Sequence, residues 1–99
     1  MNIFENKTVV ISGGAEGIGL AVARALGKRG MNIVIADIDA TQLSVAEAEL
    51  AGAGIPVLAT TLDVADLSQW KRVAEQSIER FGKVHMVVNN AGVGGKGGT

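Results

Sequence analysis

Four glycines lie in residues 12–19, which read SGGAEGIG and separate a short apolar run from a helix-like segment. Gly13, Gly17 and Gly19 have the spacing G-x-x-x-G-x-G. The N-terminus of a helix presents free N–H groups and the positive end of the helix dipole, which suits a phosphate. Gly13 would form the tight turn, Gly17 would let a pyrophosphate approach the backbone, and Gly19 would let helix and strand pack closely. The pattern predicts a dinucleotide-binding turn, with a merely structural loop as the alternative.

An acidic residue further along the chain supports this prediction. Asp37 ends the second apolar run, 18 residues after Gly19, close to the ~20 residues expected for a ribose-binding carboxylate. A carboxylate there accepts hydrogen bonds from the ribose hydroxyls of NAD and repels the 2′-phosphate of NADP. Glu16, in the glycine turn, would add to the repulsion. We therefore predict NAD in preference to NADP, and the alternative is that Asp37 is a solvated strand end.

Composition excludes several classes of function. The chain has 99 residues, of which 47% are hydrophobic and 19% charged, and its net charge is −1. It has neither a basic stripe nor a cationic amphipathic stretch, which argues against a nucleic-acid partner or a membrane surface. No leader or membrane-spanning run is recognisable, and without cysteine there is no disulfide or cysteine-ligated metal site. We expect a soluble, cytoplasmic protein with no metal site.

Short apolar runs alternate with segments of helical periodicity. Strands are predicted at 8–11, 32–37, 56–62 and 84–89. Helices are predicted at 18–29, from Asp39 to the segment AGAG at 51–54, and from Asp66 to Gly82. Asp39 and Asp66 are predicted N-caps, each with a reciprocal glutamine three residues later, Gln42 and Gln69. The predicted apolar faces are Ile18, Ala21, Val22, Ala25 and Leu26 in the first helix, Leu43, Ala46 and Leu50 in the second, and Leu67, Trp70, Val73, Ala74, Ile78 and Phe81 in the third.

The alternation predicts an α/β chain of order β-α-β-α-β-α-β. Because the strands are too apolar for a half-exposed sheet, the sheet should be parallel, with right-handed helical crossovers. Four such strands correspond to one half of a doubly wound parallel sheet, with strand order 3-2-1-4. The fourth strand would form an exposed apolar edge, so we predict that the isolated chain is marginally stable or self-associates.

The segments SGGAEGIG, VIADID, LDVAD and VVNNAG resemble those of the short-chain dehydrogenases/reductases, in order and in spacing. The resemblance runs from about Lys7 to Gly92, and the spacing of the glycine turn is similar to that of the compact branch of the family. It implies a partial NAD(P)-binding Rossmann-type domain over residues 1–92, followed by a glycine-rich loop or end at 93–99. It also implies hydride transfer between the cofactor and an alcohol or carbonyl carbon, in a full-length form that is a homo-oligomer.

The resemblance implies a role for each matching residue. Ser12 stands where the family usually has threonine, and this conservative exchange keeps the hydroxyl. Gly13, Gly17 and Gly19 would cradle the pyrophosphate, with the backbone of Glu16 and Ile18 nearby. Asp37 would bind the adenosine ribose, and the Asp63 carboxylate would accept from the exocyclic amine of an adenine lying against Asp63 and Val64. The last group would brace the sheet and line the cofactor near its riboses: Asn89, Asn90, Ala91 and Gly92.

Four residues in or near this predicted site have a purely structural interpretation. Asp63 could merely end a strand, and Asn90 could act mainly by holding neighbouring strands together. Trp70 is interpreted as packing on the apolar face of its helix. His85, where the family tends to have aspartate, is interpreted as structural because it lies at the amino-terminal end of the predicted strand, away from the carboxyl ends where ligands bind.

The family's catalytic residues are a serine, an asparagine, a tyrosine and a lysine, and the resemblance implies that all four follow the VVNNAG segment. The 99 residues include no tyrosine. We therefore predict a cofactor half-site without catalytic residues, as the N-terminal part of an NAD-dependent oxidoreductase. The alternatives are a non-catalytic nucleotide-binding or regulatory module and a structural remnant that binds nothing.

Overall fold

Strands and helices alternate along residues 2–90, the part of the chain that the structure, a computed structural model, describes. The elements are β1 (Thr8–Ser12), α1 (Gly17–Lys28), β2 (Asn32–Asp37), α2 (Ala40–Gly52), β3 (Val57–Thr61), α3 (Leu67–Phe81) and β4 (Met86–Asn89). The sheet order is β3-β2-β1-β4, and every pairing is parallel. The predicted α/β class, strand order and half of a doubly wound sheet are confirmed.

Both faces of the central strands are covered by helices. In β1, Val9 and Ile11 face a core shared with α1 and α2, whereas Val10 faces a second core shared with α3. The neighbouring strand alternates in the same way, with Ile33 and Ile35 on the first face. Burial on both faces explains why these strands are continuous apolar runs instead of alternating ones.

Helix α1 turns to the sheet a face that overlaps the predicted one only in part. Its buried residues are Gly19, Leu20, Ala23 and Gly27, whereas Ile18 is 74% exposed. Ala21 and Ala25 are exposed too, and Val22 and Leu26 are only partly buried. The buried row contains small residues at intervals of four, which allows close approach. A Cβ added at Gly27 would lie 2.7 Å from Ile55.

The predicted buried face is correct for α2 and partly wrong for α3. In α2, Leu43, Ala46 and Leu50 are buried as predicted. In α3, Val73 is buried, but Leu67 is 83% and Ile78 51% exposed. The second buried position of α3 is Ser77, whose hydroxyl donates to the Val73 carbonyl at 2.7 Å. This local bond satisfies the hydroxyl, so that a small polar residue can lie against the sheet.

The predicted N-caps are confirmed, but not their reciprocal partners. Asp39 accepts from the Gln42 N–H at 3.0 Å and Asp66 accepts from the Ser68 N–H at 3.0 Å. The backbone N–H of Asp39, however, donates to Asp37 Oδ1 at 3.1 Å, and that of Asp66 donates to the Asp63 carbonyl at 2.9 Å. The glutamine side chains were predicted to accept from these two backbone N–H groups. Neighbouring loop residues accept from them instead.

Strand β4 begins at Met86 and not at Val84 as predicted. The Thr8 N–H donates to Nδ1 of His85 at 3.0 Å, while the His85 N–H donates to the Thr8 carbonyl at 2.9 Å. The His85 side chain therefore takes the place of a backbone acceptor for Thr8. The regular pairing of β1 with β4 starts at the next residue, with Val9 opposite Met86. His85 lies at the amino-terminal end of the sheet, where it has a structural role.

Strand β4 also forms one edge of the sheet, as predicted. Val87 is 56% and Met86 37% exposed, so an apolar surface lies next to strand β1.

None of the described helices is long and apolar enough to cross a membrane.

Candidate functional site

The predicted site residues that the structure describes meet at the carboxyl-terminal edge of the sheet. The glycine turn follows β1, Asp37 ends β2, Asp63 follows β3, and Asn89 ends β4. In an open parallel sheet this edge is where ligands bind, at the point where the strand order reverses. Within residues 2–90 no group of three or more histidine or acidic side chains is placed to hold a metal ion.

The glycine turn is tight because two of its glycines have positive φ. Gly13 has a φ of 67° and donates its N–H to the Ala36 carbonyl at 2.7 Å, which ties the turn to β2. Gly17 has a φ of 60°, and a Cβ added there would meet no protein atom within 4 Å. A Cβ added at Gly19 would lie 2.0 Å from the carbonyl oxygen of Gly13. The turn therefore brings α1 against the end of β1 and leaves the space beside Gly17 open.

Gly14 has a structural role that the sequence analysis did not assign. A Cβ added there would lie 2.8 Å from Cγ2 of Ile35 and 2.9 Å from the carbonyl oxygen of Ile11. Its N–H lies 3.3 Å from the Ala36 carbonyl. The glycine outside the three-glycine pattern is thus needed for packing against the sheet. Its only sequence signal was its presence in an already glycine-rich turn.

The first turn of α1 differs from that of the other two helices. Glu16, the N-cap residue, has an extended backbone with φ −160° and ψ 171°, and its side chain makes no capping hydrogen bond. Helices α2 and α3 are each capped by an aspartate. The N–H groups in the first turn of a helix need partners, and an anionic group can supply them. The bare turn and the uncapped helix together fit a pyrophosphate.

Asp37 is half-buried and held through both carboxylate oxygens. Its Oδ2 accepts from the Ala15 N–H in the glycine turn at 3.2 Å, and its Oδ1 accepts from the Asp39 N–H at 3.1 Å. The Asp37 carbonyl also accepts from the Leu62 N–H at 2.9 Å. The side chain is therefore fixed beside the turn and does not behave as a freely solvated strand end. A carboxylate has about four lone-pair sites, so it can still accept from a ligand.

The loop of residues 63–66 after β3 is held by the first turns of α3. The Asp63 N–H donates to Oε1 of Gln69 at 2.8 Å, and Nε1 of Trp70 donates to the Val64 carbonyl at 2.9 Å. Asp63 also accepts from the Ala65 N–H at 3.0 Å through Oδ1. Trp70 packs as predicted against the second core, which the sheet shares with α3 (the α3-side core). The contact of its indole N–H was not predicted. No periodicity rule relates a loop carbonyl to an indole six residues later.

Asn89 and Asn90 connect the end of β4 to the glycine turn. The Ser12 hydroxyl donates to Oδ1 of Asn89 at 2.8 Å, and Nδ2 of Asn90 donates to the Gly13 carbonyl at 3.3 Å. The alternative role for Asn90, holding neighbouring strands together, therefore has a contact that supports it. Ala91, Gly92 and the glycine-rich segment 93–99 lie outside the described residues.

Asp66, at the end of the same loop, provides a pH-dependent test. The hydrogen bond from the Ser68 hydroxyl lowers the pKa of Asp66 below its ordinary value of 3.8, and bonds from Gln69 and the backbone act in the same direction, against the effect of burial. A carboxyl whose pKa is lowered by folding stabilises the fold above its ordinary pKa and loses that contribution as the pH falls through its folded pKa. We expect Asp66→Asn to unfold at lower urea concentration than the wild type at pH 7, and the difference to shrink below about pH 4.

Asparagine keeps one capping oxygen but cannot ionise, and it also removes the oxygen that accepts from the Gln69 amide. The pH dependence of the difference, and not its size at pH 7, therefore reports the charge. Urea midpoints measured by circular dichroism at pH 7, 5 and 3 provide the test. A difference that stays constant across this range would contradict the assignment.

The chain matches the family model described as short chain dehydrogenase over residues 7–99. It is 37% identical over 89 residues to a 1-deoxy-11-beta-hydroxypentalenate dehydrogenase of Streptomyces arenae, covering 90% of this chain and 32% of that protein. It is 42% identical over 94 residues to an L-rhamnose 1-dehydrogenase (NADP(+)) of Thermoplasma acidophilum, covering 91% and 36%.

Solved structures similar to this chain include dehydrogenases, as do its sequence relatives. A short chain dehydrogenase/reductase from Burkholderia phymatum in complex with NAD superposes with a TM-score of 0.84 at 36% identity, covering 88% of this chain and 31% of that one. A hydroxysteroid dehydrogenase from Escherichia coli gives a TM-score of 0.88 at 30% identity, covering 93% and 39%. The chain spans about a third of the length of the curated relatives described here.

Proposed function

Because the chain belongs to the short-chain dehydrogenase family, we propose that it is the NAD-binding part of an oxidoreductase acting on an alcohol or carbonyl compound. The observation that carries this proposal is the combination of a bare glycine turn, an uncapped α1 and a fixed Asp37 at one edge of the sheet. The cofactor, when bound, supplies a hydride acceptor or donor. The residues of this chain bind and orient it.

The pyrophosphate is proposed to lie on the glycine turn. Gly17 leaves room beside the backbone, and the first turn of α1, with Ile18 and Gly19, presents N–H groups that the side chain of Glu16 leaves uncapped. Gly13 forms the turn itself, and Ser12 fixes its beginning through Asn89. A phosphate in this position also interacts favourably with the helix dipole.

The adenosine end is proposed to lie across β2 and β3. Asp37 accepts from the ribose hydroxyls, and Asp63 accepts from the exocyclic amine of an adenine resting on the exposed side chain of Val64. The remaining proposed contacts, near the riboses, come from Asn89, Asn90, Ala91 and Gly92. The hydrogen bond from Asn90 to the Gly13 carbonyl serves both this role and the connection of β4 to the turn.

A preference for NAD over NADP is part of the proposal. Asp37 carries a negative charge at the position proposed for the ribose, and Glu16, which is exposed, adds a second acidic group in the adjoining turn. A 2′-phosphate would meet like charge there. One solved relative is an NAD complex, whereas another relative is named for NADP(+), so the choice varies among proteins similar to this one.

Titration of the protein with NADH and NADPH tests the proposal. We expect NADH to bind at least about tenfold more tightly, because placing like charges together at a binding site costs more than the ~1.4 kcal/mol of a tenfold change. The fluorescence of the reduced nicotinamide reports both titrations. Tighter binding of NADPH would contradict the preference, and no binding of either cofactor would contradict the proposed function.

Catalysis requires groups beyond those proposed here for binding. The resemblance implies a tyrosine as general acid/base, and these 99 residues contain none. The alcohol or carbonyl substrate and homo-oligomeric assembly are accordingly proposed for the whole protein. We also propose a cytoplasmic location, on the basis of the absence of cysteine from these residues.

A further inference from the structure

The 63–66 loop is held more firmly than a strand-to-helix connection requires. Two consecutive side chains of α3, Gln69 and Trp70, reach back to two consecutive residues of the loop, Asp63 and Val64. The amide of Gln69 also donates to Oδ2 of Asp66 at 3.2 Å, so one side chain spans both ends of the loop. An N-cap alone would have been enough to begin α3.

The contact from Trp70 does not follow from burial alone. Trp70 is partly exposed, and its ring packs at the margin of the α3-side core. Its indole N–H could donate to water at this position. It donates instead to the carbonyl of Val64, a residue that is 38% exposed. The bond therefore orders the carbonyl of an exposed residue, where water could also have been the donor.

We infer that Gln69 and Trp70 are positioning residues, which hold the backbone of Asp63 and Val64 in the shape that recognises the adenine base. This inference rests on the proposed function and adds the elements that make its base recognition selective. Ordering a loop before the ligand arrives removes an entropy cost from binding. The Asp63 carboxylate then keeps a fixed direction, with Oδ1 held by the Ala65 N–H.

The test compares NADH with reduced nicotinamide hypoxanthine dinucleotide, in which an oxygen replaces the exocyclic amine of adenine. Asp63 can accept from the amine but is repelled by the oxygen. We expect the wild type to bind NADH about tenfold more tightly than the hypoxanthine analogue, the discrimination given by one hydrogen bond to a charged group. In Trp70→Phe the ratio should fall to about threefold or less, because the loop is no longer fixed. Both ligands are followed by nicotinamide fluorescence, which does not depend on the tryptophan.

Phenylalanine retains an aromatic ring on the core and leaves the exposed Val64 carbonyl to water, so Trp70→Phe should fold. Gln69→Met provides a second variant, in which the Asp63 N–H loses its acceptor, and it is expected to lower the ratio in the same way. Phe81→Leu is the matched control. It reduces an aromatic side chain packed against the same core about 16 Å further along α3, and it should leave the ratio at the wild-type value.

Unchanged ratios in Trp70→Phe and Gln69→Met, both still binding NADH, would overturn the inference. So would a wild type that binds both dinucleotides equally well, because Asp63 would then not read the base. If Trp70→Phe does not fold, the ratio measured for Gln69→Met decides. A wild type that binds neither dinucleotide would refute the proposed function, and this inference with it.

Discussion

Gly19→Ala is expected to lower the free energy of unfolding by about 3 kcal/mol or more. A Cβ at this position would lie 2.0 Å from the carbonyl oxygen of Gly13 and 3.0 Å from Cα of Gly14. Neither atom belongs to a flexible side chain. Gly13 is fixed by its positive φ and its hydrogen bond to Ala36, so relief would require moving α1 away from the sheet. Urea unfolding followed by circular dichroism measures the loss.

Gly52→Ala is the matched control for this prediction. Gly52 is the last residue of α2, and a Cβ added there would meet no atom within 4 Å. Alanine favours a helix over glycine by up to ~1 kcal/mol, so the control should be unchanged or slightly more stable. A Gly19→Ala variant as stable as this control would show that helix and turn are not as close as the structure has them.

Asp37→Asn is expected to reduce the preference for NADH over NADPH by about tenfold or more. The change removes the charge that is proposed to accept from the ribose hydroxyls and to repel a 2′-phosphate. It also removes one of two acceptors. Asparagine offers one oxygen, whereas the Ala15 and Asp39 N–H groups now donate to two. One donor loses its partner, so we also expect a stability loss of about 1–2 kcal/mol.

The same substitution two residues later separates the two effects. Asp39→Asn alters an N-cap at which asparagine is as good as aspartate, so neither stability nor cofactor preference should change much. Titrations with both reduced cofactors and urea unfolding are made on each variant. If Asp37→Asn loses stability but keeps the wild-type preference, the carboxylate holds the turn without selecting the cofactor.

Patterns local to the chain were sufficient to predict the order of the elements and the N-caps. Continuous apolar runs indicated doubly covered strands, and Asp39 and Asp66 stood immediately before their helices. The buried faces of α1 and α3 depended on more than periodicity. In α1, two adjacent rows of residues along the helix were both compatible with helical spacing. The row with smaller residues, such as Ala23 and Gly27, packs against the sheet because it allows a closer approach.

Contacts between distant elements explain the rest of what the sequence did not predict. The spacing pattern identified Gly13, Gly17 and Gly19, but the need for glycine at position 14 arises from Ile35 on another strand. Likewise, the late start of β4 follows from the imidazole of His85 bonding to Thr8, 77 residues away. Side-chain contacts across such separations leave no periodic signal.

The position of β4 has a consequence for how this sheet forms. Thr8 of β1 and Asn32 of β2 are only 24 residues apart, whereas Ser12 and Asn89 are 77 apart. Closing the longer loop costs about 1 kcal/mol more in chain entropy, and β4 follows the other three described strands along the chain. The first three strands can therefore assemble while β4 is still undocked. The Ser12–Asn89 and Asn90–Gly13 bonds form only when it arrives, so the step that closes the folding of the described sheet also completes the glycine turn.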